Sequence, residues 1–431
     1  MSRSVIRRAR SKNPTRWLLS MIPYNAGAGA VSPVSALFVT QVLGGDVSSV
    51  GVMGALTALA SVPGSGLWGA LSDRTGRRGP FIVLGLIGYG VPVVLFGLSQ
   101  TLLVAYVLSF VMGFLSLALN PAASALIAEA NPRERLGEAL ATFNWLAGIG
   151  AVAGLVIGAA WMELLPRLVG QNLALRELLI LSGLTVVIAG VIAAIWLPAE
   201  AKPPRSRHAA GQNEPQTAIP ESIGNRRLHS DPWLRYLLAY FLGRLSTNLA
   251  LTPFAIFMKQ SLGAPDSLVL IAYVVNQFFP IVAYGWMSRV VRRTGAVRLM
   301  MFASAGRAFG LLLGSLALVF GAGPVGIGLA MLLYGPMIGI TWAGIAVGGP
   351  MVVMDMVPPE KAGAGMGLYN AVSNVAAIAG AYFSGVGVLA IGYAGIFDVS
   401  AAIGLAGAAA YLLVRDTSPA PARLDVRADQ S

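Results

Sequence analysis

The chain has 431 residues, of which 56% are hydrophobic and 11% are charged, and its mean hydropathy is +0.72. Soluble domains carry about 25% charged residues, so this composition excludes a water-soluble enzyme, a secreted domain and a disordered scaffold. It is typical of a membrane protein with many helical spans. No cysteine occurs, and the two histidines lie in one long polar stretch. We therefore predict that the protein is not an enzyme and has no catalytic residue, metal site or cofactor.

Apolar runs of about 20 residues are long enough to cross a bilayer as helices. Twelve such runs follow one another along the chain, and short polar turns separate most of them. We therefore predict an all-α membrane protein with twelve transmembrane helices in two pseudo-symmetric bundles of six. The predicted spans, numbered 1 to 12, cover residues 17–42, 49–71, 80–98, 101–127, 139–162, 177–198, 233–258, 267–288, 299–320, 324–353, 364–388 and 394–414.

A polar stretch rich in proline, glycine and arginine separates span 6 from span 7 and is typical of a linker. It divides the spans into two groups of six. The predicted domains are therefore a basic tail at 1–16, a six-helix bundle at 17–198, a linker at 199–232, a second six-helix bundle at 233–414 and a second tail at 415–431.

The distribution of lysine and arginine predicts how the chain is oriented in the membrane. Of the 30 basic residues, 25 lie on the side of the termini and the linker, and 3 lie on the opposite side. Because basic residues are retained in the cytoplasm, we expect both termini to be cytoplasmic in a cell-membrane protein. The net charge of +12 then reflects topology and contact with the lipid bilayer, and we expect no nucleic-acid partner.

The two halves of the chain carry similar sequences. The segment Pro-Arg-Glu-Arg-Leu-Gly at 132–137 recurs as Pro-Pro-Glu-Lys-Ala-Gly at 358–363, and Asp46 before span 2 corresponds to Asp266 before span 8. An even number of spans in each half makes this a parallel repeat about an axis along the membrane normal. Two such bundles that face each other suit alternating access, although the duplication could also record ancestry alone.

The loop between spans 2 and 3, at 69–78, reads Gly-Ala-Leu-Ser-Asp-Arg-Thr-Gly-Arg-Arg. It closely resembles the signature loop of the major facilitator superfamily. The twelve spans, the repeat of six and the central linker extend the resemblance over nearly the whole chain. The resemblance implies a secondary transporter whose two bundles rock about a binding site at the midplane.

The resemblance also implies that this loop closes the cytoplasmic face, with Asp73 near the start of span 11. A carboxylate at a helix N-terminus gains about 0.3–1 kcal/mol. Alternatively, the loop arginines merely keep the loop in the cytoplasm. Glu129 and Asp355 end spans 4 and 10, and we expect either exposure or pairing with loop arginines, with Arg77 favoured for Glu129. With Gly69 ending span 2 and Gly76 breaking the chain, the predicted cytoplasmic gate comprises Gly69, Asp73, Arg74, Gly76, Arg77, Arg78, Glu129 and Asp355.

Polar residues at helical spacing on the central spans predict a water-filled cavity. The resemblance implies that spans 1, 4, 7 and 10 line it, with contributions from spans 2, 5, 8 and 11. Serine often serves only to pack membrane helices, whereas asparagine and glutamine carry donors and acceptors that need partners. The predicted cavity residues are Asn25, Ser32, Asn120, Asn144, Tyr240, Arg244, Asn248, Asn276, Gln277, Asn370 and Asn374.

Two arginines lie within spans. Arg244 is about 11 residues into span 7, close to the midplane at 1.5 Å per residue. A buried guanidinium is costly unless it is paired or wet, so Arg244 either attracts an anionic or hydroxyl-rich solute or bonds to backbone carbonyls or another helix. For Arg307 on span 9 we expect a structural role, because the family's ninth helix usually packs at the periphery.

These observations predict a secondary active transporter that moves a small polar or anionic organic solute by alternating access and functions as a monomer. Outward movement is the favoured direction. One alternative is a proton-coupled multidrug exporter of the same superfamily, although such exporters commonly carry an acid in span 1 that this chain lacks. Another alternative is a non-transporting receptor on the same fold. A coupling ion or proton remains an open partner.

Overall fold

The computed structural model describes residues 16–131, 133–197, 232–358 and 361–414. All regular secondary structure within these ranges is helical. The N-terminal residues up to 15, the predicted linker apart from its last residue, and the predicted C-terminal tail lie outside the described residues. The predicted domain boundaries therefore stay predictions.

The first half of the chain forms six long helices. A 3₁₀ turn at Arg16–Ser20 precedes α1, and α4 consists of two helical segments separated by residues 117–118. A short helix at Pro166–Val169 joins α5 to α6. The bounds are α1 Met21–Gln41, α2 Val47–Thr75, α3 Gly79–Leu98, α4 Leu102–Ser116 with Leu119–Ala130, α5 Arg133–Leu164 and α6 Gln171–Trp196.

The second half forms six more helices, two of which contain a π-helical turn. α7 consists of Pro232–Leu251, Phe254–Ile256 and the π turn Phe257–Ser261, and α10 consists of Pro324–Leu332, the π turn Leu333–Met337 and Ile338–Met356. The other bounds are α8 Asp266–Thr294, α9 Ala296–Phe320 and a last helical run Ala362–Ala410. That run divides at Gly392, where φ is +73°, into α11 at 362–391 and α12 at 393–410. Twelve helices in the described ranges confirm the predicted fold class.

Nine helices in the described ranges are long and apolar enough to cross a membrane, with α11 and α12 counted as one. The breaks in α4, α7 and α10 lie near Pro121, Pro253 and Pro336, where a missing N–H and the ring clash interrupt the helix. Other prolines do not interrupt their helices. Pro33 and Pro280 lie inside continuous α1 and α8.

The two ends of the bundle differ in how the halves pack together. We call the end with Arg16 and Val414 the termini face and the opposite end, with Gln41 and Asp266, the distal face. On the distal side, one apolar core contains residues from both halves, including Phe38 and Phe254. On the termini side, each half has its own apolar core. One core contains residues of the first half only, and the other contains residues of the second half only.

Close helix crossings join the two halves. α2 packs against α11, and α5 packs against α8. At the α2–α11 crossing, a Cβ on Gly51 would lie 2.7 Å from the carbonyl oxygen of Ala381, so only glycine permits this approach. In the described residues, the halves therefore share a packed core on the distal side but not on the termini side.

A candidate solute cavity and its two faces

A cavity of about 380 Å³ lies between the two halves. Residues of α1, α2, α3 and α4 line one side, and residues of α7, α8, α10 and α11 line the other. No lining side chain carries a charge. The polar lining consists of Ser32, Ser35, Thr57, Tyr89, Ser109, Asn248, Thr252, Tyr273 and Tyr334.

Hydroxyl groups dominate the chemistry of this cavity. Several of them donate to the carbonyl oxygen one turn back in their own helix: Thr57 to Met53 at 3.0 Å and Ser109 to Ala105 at 2.8 Å. These hydroxyls keep lone pairs that accept from a ligand. Ser35 Oγ is buried and has no hydrogen-bond partner in the described part of the chain. The cavity thus offers neutral acceptors and donors on both halves.

The π turn in α10 places an aromatic side chain at the cavity. Tyr334 stacks on Phe254 with ring centres 4.1 Å apart, and its ring centre is 4.5 Å from that of Tyr273. Asn276 Nδ2 donates to the Tyr334 carbonyl oxygen at 2.6 Å, which satisfies a backbone group that the π turn removes from regular helix bonding. Asn276 was predicted in the cavity and instead supports its aromatic wall.

Of the predicted cavity residues, Ser32 and Asn248 line this cavity. Asn25 and Asn144 donate from Nδ2 to carbonyl oxygens four residues earlier, and so does Asn248. This local bonding satisfies an amide without a cavity, which the sequence argument did not consider. The remaining predicted residues, apart from the two discussed next, are exposed or half-buried and do not belong to the lining of this cavity: Asn120, Gln277, Asn370 and Asn374.

Arg244 and Tyr240 lie nearer the termini face than the cavity does. Tyr240 is buried and stacks on Tyr369 with ring centres 4.2 Å apart. Arg244 is half-buried; its Nε donates to Ser373 Oγ at 3.0 Å, and its guanidinium carbon lies 5.3 Å from the ring centre of Trp342. Neither is among the cavity-lining residues, so a role in solute binding stays a prediction.

Arg307 lies inside the second half and not at its periphery. It is 3% exposed. Its Nε donates to Thr341 Oγ1 at 3.1 Å and a terminal nitrogen to the Ile338 carbonyl oxygen at 3.1 Å, both on α10. The other terminal nitrogen lies 3.3 Å from Thr247 Oγ1 on α7. α9 turns this side chain toward two central helices, and the structural role expected for Arg307 stays a prediction.

A buried carboxylate joins the two halves at the distal face. Asp266 is the first residue of α8, and its side chain is fully buried against Lys259 Nζ at 2.7 Å. Gln41, at the end of α1, donates to Asp266 Oδ2 at 3.3 Å, and Gln171, at the start of α6, donates to the same oxygen. Beside it, Ser267 Oγ donates to Glu163 Oε2 at 2.8 Å. We call this group the distal polar cluster: Gln41, Glu163, Gln171, Lys259, Asp266 and Ser267.

Sequence reasoning missed the distal polar cluster. The search for functional acids looked near the midplane, whereas Asp266 lies at a helix start. The repeat did contain a signal, because it aligned Asp266 with Asp46. In the structure, however, Asp46 caps its own helix by accepting from the Ser49 backbone N–H at 2.9 Å, and it is exposed.

At the termini face, the signature loop bonds within the first half. Arg78 donates to Asp73 Oδ1 at 2.6 Å, to Glu129 Oε1 at 3.1 Å and to Ser72 Oγ at 2.9 Å. Burial lowers the pKa of Arg78, but the bonds to the two carboxylates outweigh it and raise that pKa above its ordinary value. The partner of Glu129 is therefore Arg78, and the favoured pairing with Arg77 was wrong.

Other predicted gate residues have mixed outcomes. Gly76 ends α2 with φ of +61°, as predicted, because glycine adopts this conformation without strain. Gly69 does not end the helix; α2 continues to Thr75. Arg74 lies in the last turn of α2, and Asp355 is exposed near the end of α10.

Comparison with known families gives a match over most of the chain. The model of the Major Facilitator Superfamily matches residues 17–347 and 236–430. Among curated proteins, the multidrug resistance protein MdtG of Escherichia coli is 34% identical over 137 residues, which are 31% of this chain and 32% of MdtG. The uncharacterised MFS-type transporter MJ1560 of Methanocaldococcus jannaschii is 32% identical over 132 residues, 31% of this chain and 34% of MJ1560. The matched stretch thus spans about a third of each relative's length.

Solved structures share the fold. The nucleoside transporter NupG superposes with a TM-score of 0.75 at 13% identity, covering 93% of this chain and 99% of NupG. A D-xylose–proton symporter superposes with a TM-score of 0.69 at 15% identity, covering 93% of this chain and 98% of the symporter. These structures agree with the twelve helices in fold, and the match of the family model over most of the chain shows that the chain belongs to the major facilitator superfamily.

Proposed function

We propose that this transporter moves a small polar or anionic organic solute by alternating access, and that the structure is open toward the termini face. One observation carries this proposal: the halves share a core and the distal polar cluster on one side, but have separate cores on the other. A cavity lies between the halves. A solute that enters from the termini face reaches that cavity and meets a closed distal face.

The orientation of the chain gives this opening a direction. Of the 30 basic residues, 25 lie on the side of the termini and the predicted linker, which favours a cytoplasmic termini face in the cell membrane. The cavity then opens to the cytoplasm. This is the state in which an exporter accepts its solute, and we propose efflux.

The chemistry of the interior supports a polar solute. The lining of the cavity has nine hydroxyl- or amide-bearing residues and no acid, so it suits a solute with several hydroxyl or carbonyl groups. Arg244 lies one helical turn from Asn248 on α7 and adds a cation on the termini side. A cationic solute would meet repulsion there and no compensating carboxylate.

A second candidate is a proton-coupled multidrug exporter. The similarity to MdtG, whose name describes multidrug resistance, favours this function. Asp266 is a buried acid at the junction of the halves, where it contacts side chains of both. The uncharged cavity lining argues against cationic drugs and keeps this function second.

Cross-linking tests the proposed mechanism, because the chain contains no cysteine of its own. Glu163→Cys and Ser267→Cys place thiols on α5 and α8 within the distal polar cluster. A reducible bifunctional methanethiosulfonate should join them, stop solute flux in proteoliposomes, and release flux on reduction. The matched control joins Glu163→Cys to Arg167→Cys, an exposed pair within the first half, and this cross-link should leave flux unchanged.

Flux is measured with labelled succinate, glucose and ethidium, which represent an anionic, a neutral and a cationic solute. Movement of succinate or glucose supports the proposed function. Movement of ethidium alone favours the multidrug exporter. Flux that persists after the distal cross-link would contradict alternating access across this interface.

A further inference from the structure

One tryptophan lies between two arginines from different helices. Trp342 is on α10; the guanidinium carbon of Arg244 on α7 lies 5.3 Å from its ring centre, and that of Arg307 on α9 lies 5.8 Å away. The two guanidinium carbons therefore cannot be more than about 11 Å apart, the sum of these two distances. Within the second half, this group concentrates two positive charges near the middle of the membrane.

Within the described part of the chain, neither Arg244 nor Arg307 forms an ion pair with a carboxylate. Arg307 bonds only to neutral groups, namely two threonine hydroxyls and one backbone carbonyl. Two like charges at this separation repel each other in a low-dielectric interior, and burial of either charge is costly. An anion near the pair would relieve both costs.

The two arginines differ in how many of their hydrogen-bond donors already have acceptors. Arg307 is buried and places all three of its nitrogens near acceptors, which fits a fixed position within the bundle. Arg244 is half-buried, and its side chain makes one hydrogen bond in the described part of the chain, from Nε to Ser373. A guanidinium carries five donors in a planar fork. The terminal nitrogens of Arg244 are thus available to a ligand.

We propose that Arg244, Trp342 and Arg307 form a binding site for a small solute with two negative charges, either a dicarboxylate or a phosphate compound. The Arg244 fork binds an oxyanion with two parallel hydrogen bonds. Arg307 acts behind it as a fixed cation, and Trp342 holds both guanidinium groups by cation–π contact. Asn248, one turn further along α7, brings the neutral part of the solute to the cavity. This inference rests on the proposed function and names its substrate class.

Ligand-induced thermal stabilisation of the purified full-length protein tests the site. The probes are succinate, inorganic phosphate, butyrate with one charge, and uncharged succinamide, all at one ionic strength set with chloride. We expect succinate, phosphate or both to raise Tm with a midpoint concentration at least about tenfold lower than that of butyrate. Succinamide should have no effect. Stabilisation by succinate alone assigns a dicarboxylate, and stabilisation by phosphate alone assigns a phosphate compound.

Arg244→Gln should abolish the preference for two charges over one, a change that loss of packing alone would not produce. Arg307→Lys retains the buried charge and should keep that preference. The matched control is Arg176→Gln, because Arg176 also lies over an aromatic ring, 5.2 Å from the centre of Phe38, but bonds to backbone carbonyls of Gly97 and Ser99. This control should bind succinate as the unmodified protein does.

Equal stabilisation by succinate and butyrate, or equal stabilisation of the protein and Arg244→Gln, would overturn the site. Absence of stabilisation by any anion would overturn it as well. If the same preparation nevertheless transports glucose or ethidium, the anion site is rejected but the transport function is not. Loss of all flux, with anion binding intact, would contradict the proposed function and not the site.

Discussion

The distal and termini faces use acidic residues in opposite ways. At the distal face, Asp266 of the second half accepts hydrogen bonds from Gln41 and Gln171 of the first. At the termini face, Asp73 and Glu129 bond to Arg78, and all three belong to the first half. The first arrangement joins the halves, whereas the second joins helix ends within one half.

If the protein alternates between two open faces, as we propose, this difference indicates which contacts must change in free energy. Opening the distal face would break the hydrogen bonds from Gln41 and Gln171 to Asp266. The buried carboxylate would then keep Lys259, which belongs to its own half, as its partner. Closing the termini face would require new contacts between halves, for which Asp73, with 72% of its side chain exposed, is available. The polar contacts of the two faces would therefore be made alternately.

The largest expected effect follows from Asp266→Asn. Loss of a charged hydrogen-bond acceptor costs about 1.5–3 kcal/mol, and we expect about 2 kcal/mol because Lys259 keeps a third of its side chain exposed. That energy corresponds to about a thirtyfold shift in an equilibrium, here away from the closed distal face.

A single cysteine in place of Met53, which lines the cavity on α2, measures this shift. An impermeant maleimide added on the distal side should label it faster when Asp266→Asn is present. Asp46→Asn, at the aligned position of the first half, is the matched control and should not alter labelling. Equal labelling rates in all three proteins would break the comparison of the faces.

A smaller effect is expected from Arg78→Ala. The side chain of Arg78 is 15% exposed and joins the ends of α2 and α4. Because both carboxylate partners are largely exposed, we expect a loss of about 1–1.5 kcal/mol, measured as a lower Tm. Arg77→Ala is the matched control because its side chain is exposed. A double exchange of Arg78 and Glu129 should restore part of the loss, and no recovery would contradict the pairing.

Asp73→Asn tests the role of an acid at the termini face. If Asp73 contacts the N-terminus of α11 when the termini face closes, the variant should retain expression and lower Tm by less than Arg78→Ala does, but lose flux severalfold. Loss of this carboxylate should destabilise the state with a closed termini face by about 0.3–1 kcal/mol. Initial flux rates in proteoliposomes measure the effect. Unchanged flux would refute a role for Asp73 in closure.

Local sequence features predicted the helices well. Apolar length marked twelve spans, and Gly76 marked the end of α2 because only glycine adopts its φ of +61° without strain. Gly69 misled, because a helix tolerates glycine in its interior. Likewise, α7 breaks at Pro253 whereas α8 continues through Pro280. Whether a proline or glycine interrupts a helix depends on neighbouring helices, which the local sequence does not contain.

The candidate site was harder to predict. Asn144 satisfies its amide on the carbonyl oxygen of Leu140, so a polar residue in a span need not indicate a cavity. Thr57 and Tyr89 line the cavity because α2 and α3 approach it, a consequence of packing between helices. Asp266 contacts Gln41 and Gln171 across long separations in the chain. Such meetings depend on tertiary structure, and helical periodicity alone does not predict them.

The smallest expected effect concerns Asp46, which aligns with Asp266 but only caps α2. Its pKa is lowered, first by the hydrogen bond from Ser48 Oγ at 2.7 Å. Asp46→Ala should therefore lower Tm by an amount that corresponds to about 0.5 kcal/mol, the low end for a lost N-cap, because the side chain is exposed.

The pH dependence of this effect has a defined sign. A carboxylate with a lowered pKa in the folded state stabilises fully above its ordinary pKa of 3.8 and loses that contribution as the pH falls through the lowered value. The Tm difference between the protein and Asp46→Ala should thus stay constant from about pH 7 to 5 and shrink below about pH 4. Flux should not change. A change in cysteine labelling as large as that of Asp266→Asn would mean that the two aligned acids share one role, and that the faces differ less than their hydrogen bonds indicate.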